Sequence, residues 1–262
     1  MNDAGSNDDM FDDSAFLISK QQRIAAWLVH AFTASGAILG VLSLWAIHEG
    51  LYIQSFWLMA AAVFIDSVDG TLARRAKTKV AAPKVDGALL DNIVDYFTYV
   101  LVPAFFILVT DLLPPGWAPI GVSVLVLASA YQFTQSEAKT DDHFFKGFPS
   151  YWNIVAFYLF IMQTSVWINL FVILLLSLLV FLPIKYVYPS RLDYFSPNRW
   201  LRRGMFGATL MWAAATAAML WMYPNIQPVF VYISVGYAIF YTLASLYRTF
   251  VPPEFPDEEE HN

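Results

Sequence analysis

Two pairs of aspartates flank one short polar stretch of an otherwise apolar chain: Asp66 and Asp69, three residues apart, and Asp91 and Asp95, four apart. On helices, each spacing puts both carboxyl groups on one face. The connecting loop is short enough to bring the two faces together. Carboxylates gathered in this way repel one another unless they are protonated or share a cation. With oxygen as the donor, Mg2+ and Mn2+ are favoured over Zn2+. A lone aspartate at a helix end is ordinarily a cap or an interfacial charge. Four in this pattern predict a divalent-metal site built from Asp66, Asp69, Asp91 and Asp95. Two ions a few ångström apart can stabilise the attacking and leaving oxygens of a phosphoryl transfer.

The neighbouring residues suit a phosphate ligand. Gly70 follows Asp69 directly, Ala73 is small, and Arg74, one turn past Gly70, offers a guanidinium fork for phosphate oxygens. Gly87 precedes Asp91 by four residues, so it falls on the same helical face and leaves room for a ligand. The chain has no cysteine, which excludes disulfides, thiolate metal sites and cysteine nucleophiles. His30 and His48 have no partner at a ligand or nucleophile spacing and are read as structural.

The elements that must position these residues are membrane helices. The chain is 58% hydrophobic and 14% charged, whereas soluble domains carry about 25% charged residues. Long apolar runs predict eight spans in an all-α, polytopic helix bundle. They cover Ala25 to Ile47, Leu51 to about Asp69, about Ala88 to Val109, and Ala118 to about Gln135. The rest cover Tyr151 to Trp167, Ile168 to about Ile184, Met205 to Met222, and Val229 to about Tyr247.

All 15 lysines and arginines fall before the first span, after the eighth, or in every second loop between them. Basic residues collect on the cytoplasmic side. Both termini and the aspartates are therefore expected there, with no soluble catalytic domain and no basic patch of nucleic-acid type. The acidic start does not resemble a cleaved signal peptide, so the first apolar stretch is expected to be retained. Residues 1–14 and 251–262 read as acidic, disordered tails around a membrane domain of residues 15–250. From Ser14, residues Phe16, Lys20, Arg23, Ile24 and Trp27 recur at helical spacing. They form either an interfacial helix on the cytoplasmic leaflet or an extension of the first span. Gly36 and Gly40 make a small-xxx-small pair suited to close helix packing.

The pattern Asp66-x-x-Asp69-Gly70-x-x-Ala73-Arg74, then Gly87-x-x-x-Asp91-x-x-x-Asp95, resembles the signature of the CDP-alcohol phosphotransferase family. Twelve residues, Arg75 to Asp86, separate its halves, where the common form has eight. That longer gap is similar to the family's bacterial phosphatidylcholine synthase branch. So are His30 to Gly36, Val85 to Tyr96, Phe148 to Tyr158 and Tyr186 to Arg191. The resemblance implies a multi-pass enzyme of the bacterial inner membrane, dimeric, with two Mn2+ or Mg2+ ions. It implies that Asp66, Asp69, Asp91 and Asp95 ligate metal and that Asp95 is the general base. Asp66, Gly70, Ala73, Arg74 and Gly87 would contact the cytidine diphosphate, with Thr33 bordering the nucleotide. The implied substrates are CDP-diacylglycerol, a membrane lipid, and choline.

A quaternary ammonium offers no hydrogen-bond donor and is bound by aromatic faces. Candidates near the cytoplasmic ends of the fourth to sixth spans are Tyr131, Glu137, Tyr151, Trp152, Tyr186 and Tyr188, with Asn153 as an orienting residue. An ordinary interfacial belt of Trp and Tyr would look similar. Two alternatives stand beside this reading. The acceptor could be serine, inositol or glycerol phosphate, or the chain could be a transporter with an acidic ion site.

Overall fold

The computed structural model describes residues 18–135, 144–187 and 195–251. The first helix, α1 (Lys20–His48), begins with a reciprocal cap. Ser19 Oγ accepts from Gln22 N at 3.1 Å, while Gln22 Oε1 accepts from Ser19 N at 3.0 Å. From Lys20 onward this segment is continuous with the first span. Ser14 and Phe16 lie outside the described residues.

Helix α2 (Tyr52–Ala76) runs seven residues beyond the expected end at Asp69 and stops at Lys77, whose φ is 50°. A single turn, α3 (Thr78–Ala81), follows. The next span, Gly87–Val109, comprises α4 (Gly87–Asp95), a π-helical stretch (Tyr96–Leu101) and α5 (Val102–Val109). Then come α6 (Ala118–Thr134), β1 (Phe145–Lys146), α7 (Trp152–Met162) and α8 (Val166–Leu179). The described chain ends with β2 (Lys185–Tyr186), α9 (Arg199–Met222) and α10 (Pro228–Phe250).

Among the described residues, five helices are long and apolar enough to cross a membrane, and α6, α7 and α8 are shorter apolar helices. Leu28, Phe64, Leu127, Trp221 and Tyr232 are among the large apolar or aromatic side chains exposed on their outer faces. Such a surface suits lipid rather than water. The protein is a multi-pass membrane helix bundle.

Two expected boundaries are corrected. The break between the fifth and sixth helices lies at Gln163 to Ser165, not at Trp167 and Ile168. Gln163 adopts φ 47°, and the buried Asn169 holds the turn. Its Nδ2 donates to Leu112 O at 2.9 Å, and its Oδ1 accepts from Thr164 Oγ1. Asn169 Nδ2 also donates to Thr164 O at 3.4 Å, a carbonyl that an unbroken helix would have paired within itself.

The sixth helix stops at Leu179 rather than near Ile184, because the following chain pairs with the loop before α7. Phe145 lies opposite Tyr186 and Lys146 opposite Lys185 in an antiparallel bridge. Gly147 N donates to Ile184 O at 2.9 Å and Phe148 N to Leu179 O at 3.1 Å. Gly147 has φ +80°, and a Cβ there would lie 2.2 Å from Val180 O, so glycine is required.

Helix α1 packs closely on the third span. A Cβ on Gly36 would come within 2.8 Å of Val94 Cγ1, and one on Gly40 within 2.6 Å of Phe97 Cε1. The Gly36 and Gly40 pair thus lets α1 approach the helix that carries Asp91 and Asp95. The main apolar core joins α2, α5 and α7, with the Phe56 and Phe106 rings 4.8 Å apart and Phe56 and Phe157 5.8 Å apart. Trp212 Nε1 on α9 donates to Tyr158 Oη on α7 at 2.8 Å, and that hydroxyl lies 2.6 Å from Ser234 Oγ on α10.

Candidate active site

Helix α2 delivers Asp66 while still in helical geometry, and the turn at Lys77 reverses the chain. Ala81 and Ala82 pack the connection against Ala26 of α1. Asp86 then caps α4, its Oδ1 accepting from Ala88 N at 3.0 Å and Leu89 N at 3.1 Å. This fixes the start of α4 one turn before Asp91. The outcome is a cluster of three half-buried carboxylates, Asp66, Asp91 and Asp95, each offering an oxygen within 4.8 Å of the others. An all-oxygen set at this spacing fits a divalent ion of the Mg2+ or Mn2+ kind.

Asp69 stands outside that group of three. It is buried, and its Oδ2 accepts from Thr33 Oγ1 of α1 at 2.8 Å. Thr33, expected beside a nucleotide, therefore touches an acid of the signature directly. Arg74 is exposed and turned back along α2, its Nη2 donating to Thr71 Oγ1 at 3.0 Å. Its Nη1 lies 3.6 Å from where a Cβ on Gly70 would be. Ala73 is half-buried beside it, and Gly70 is exposed. Gly87 faces α1, where a Cβ would sit 3.0 Å from His30 Cε1. The two halves of the motif thus meet the same face of α1.

One participant escaped the sequence reading. Tyr99, in the π-helical stretch, donates its hydroxyl to Asp66 Oδ2 at 2.8 Å. Its position four residues after Asp95 placed it near the acidic face, but nothing in the spacing pointed to Asp66 as its partner. π-Helical turns inside α-helices often accompany functional sites.

The candidate acceptor residues separate. The Tyr151 ring lies 5.8 Å from that of Tyr99, next to the acids. Trp152 is fully buried in the core, its Nε1 donating to Ser129 Oγ at 2.7 Å and its ring 5.3 Å from Phe148. It packs the core rather than lining the site. Asn153 is buried, its Oδ1 accepting from Ile154 N at 2.9 Å. Tyr131 is 46% exposed and pairs with Phe181 at 5.0 Å. Tyr186 is buried, 6.1 Å from Phe148. Glu137 and Tyr188 lie outside the described residues.

A membrane helix bundle with a carboxylate cluster across two adjoining helices defines a multi-pass membrane protein with a metal-competent acidic site. Residues 20–188 match the CDP-alcohol phosphatidyltransferase family, and the chain belongs to it. It is 48% identical over 232 residues to the phosphatidylcholine synthase of Legionella pneumophila, covering 88% of this chain and 91% of that one. It is also 48% identical over 217 residues to that of Legionella bozemanae, covering 82% and 100%. Identity to the phosphatidylcholine synthase of Mesorhizobium japonicum is 35% over 228 residues, covering 85% and 83%.

Proposed function

We propose that the protein transfers the phosphatidyl group of CDP-diacylglycerol to choline, giving phosphatidylcholine and CMP. The observation that carries this reading is the convergence of Asp66, Asp91 and Asp95 beside Tyr99 and Tyr151. The phosphatidylcholine synthases to which the chain is similar support it. Acidic oxygens at one edge and aromatic rings at the other meet the needs of a diphosphate with its cations and of a quaternary ammonium.

Asp66, Asp91 and Asp95, with Asp69 adjoining, would hold Mn2+ or Mg2+, two ions in this reading. The metal would supply charge neutralisation for the diphosphate and the departing CMP. Arg74 binds phosphate oxygens, and Gly70, Ala73 and Gly87 let the nucleotide approach the backbone, with Thr33 beside them. Asp95 takes the choline hydroxyl proton as that oxygen forms its bond to the lipid-linked phosphorus. The bond from this phosphorus to the CMP oxygen breaks.

The one-sided placement of the basic residues supports eight spans in the inner membrane, with both termini and the active site cytoplasmic. The catalytic unit comprises residues 15–250, flanked by acidic tails, and works as a homodimer.

The test is CMP release by purified protein in Mn2+ with CDP-diacylglycerol. Choline should release CMP far faster than serine, inositol or glycerol phosphate. Equal turnover with serine would remove the choline assignment and leave phosphatidyl transfer standing. Absence of CMP release with any acceptor, alongside metal binding, would favour an ion-site transporter.

A further inference from the structure

We infer that the trimethylammonium group of the acceptor is held by an aromatic corner of Tyr99, Tyr151 and Phe145, directly against Asp66; this rests on the choline reading above. The three rings come from separate parts of the chain: the π-helical stretch, the residue before α7, and β1. Tyr99 and Tyr151 lie 5.8 Å apart at 54°, and Tyr151 and Phe145 6.2 Å apart at 87°. Neither pair is stacked flat; Tyr99 is buried, while Tyr151 and Phe145 are half-buried. A quaternary ammonium binds to the faces of such rings.

Position ties the corner to the reaction. Tyr99 donates to Asp66, and Asp66 shares the carboxylate cluster with Asp95. Only two carbons separate the ammonium of choline from its hydroxyl, so an ammonium seated on Tyr99 and Tyr151 presents that hydroxyl toward the acids. The wall is also anchored. Trp152 is fully buried and bonded to Ser129, which fixes the backbone immediately after Tyr151.

The β bridge sorts charge away from it. Alternate residues of a strand point to opposite faces, so Phe145 shares a face with Tyr186 and Lys146 shares the other with Lys185. Consistent with this, Lys185 Nζ lies 5.8 Å from the ring of Phe144, the residue that alternates with Phe145. Lys146 and Lys185 thus share the face of the bridge opposite Phe145. This arrangement favours a cationic acceptor over one bearing a carboxylate or phosphate.

The test compares choline with its neutral carbon isostere, 3,3-dimethylbutan-1-ol, in the full-length enzyme and in Tyr151→Phe, Tyr151→Leu and Phe145→Leu. The leucine variants should raise the choline KM by about tenfold, while the CDP-diacylglycerol KM stays within about twofold. They should also lose most of the preference for choline over the isostere, whereas Tyr151→Phe, which keeps the ring, retains it. An undiminished preference in both leucine variants, or equal KM rises for both substrates, overturns the corner while choline transfer stands. A wild-type enzyme that releases no CMP on adding choline overturns both.

Discussion

The hydroxyl of Tyr99 donates to Asp66 Oδ2 at 2.8 Å, joining the third membrane span to the second at the carboxylate cluster. This bond orients Asp66 toward Asp91 and Asp95 and places an aromatic ring beside a group expected to carry metal. A hydrogen bond to an ionised group contributes roughly 1.5–3 kcal/mol. Tyr99→Phe should therefore lower kcat by about tenfold or more, with a choline KM close to wild type because the ring remains. Unchanged kcat, measured as CMP release at saturating substrates, would show that Asp66 needs no orienting partner.

Removing the clustered carboxylates separates metal binding from proton transfer. Asp66→Ala and Asp91→Ala should weaken Mn2+ binding and abolish turnover while the protein remains folded in detergent. Asp95→Asn should keep substantial CDP-diacylglycerol binding and lose most activity, since the shape remains and the base does not. Titration with Mn2+ alongside CMP release distinguishes the cases, and near-normal activity in Asp95→Asn would take the base role from that residue.

Thr33 donates a hydrogen bond to the buried Asp69 carboxylate across the contact between α1 and α2. Thr33→Val deletes the donor and keeps the shape, at a cost of about 1–3 kcal/mol. We expect a lower melting temperature and reduced activity in Thr33→Val, with Thr33→Ser near wild type for both. Equal melting temperatures for Val and Ser would show that the bond contributes nothing to the fold. Asp69→Ala, which removes both the partner of Thr33 and a proposed metal ligand, should also weaken Mn2+ binding and abolish turnover.

Topology follows from charge placement and is checked by accessibility labelling in intact cells. Labels near Lys79 and Arg199 should react from the cytoplasm only, and labels near Glu49, Asp111 and Asn225 from the opposite side only. Cytoplasmic reaction at Asp111 together with external reaction at Lys79 would invert the arrangement.

Several features were legible in the sequence because they depend on local geometry. Spacings of three and four placed Asp66 with Asp69 and Asp91 with Asp95. Apolar runs located the helices, and the Gly36 and Gly40 pair marked a close contact without naming its partner. Helix ends were less legible where a tertiary bond set them. Asn169 bridges to Leu112 across 57 residues, Phe148 bonds to the last residue of α8, and Gly147 to the chain after it.

By itself the sequence determined which carboxyl groups share a helical face, that only oxygen or imidazole can hold a metal, and that lipid surrounds most of the chain. Only the tertiary structure decided that Asp66, Asp91 and Asp95 gather while Asp69 turns to Thr33, and that Tyr99 reaches Asp66. It also decided that of the neighbours Tyr151 and Trp152 one packs against Tyr99 and the other fills the core. The physical reason is that helical periodicity sets the angle between residues on one helix. The rotation of that helix against its neighbours is set by packing, here by Val94 and Phe97 seated over Gly36 and Gly40, and that contact joins parts of the chain more than fifty residues apart.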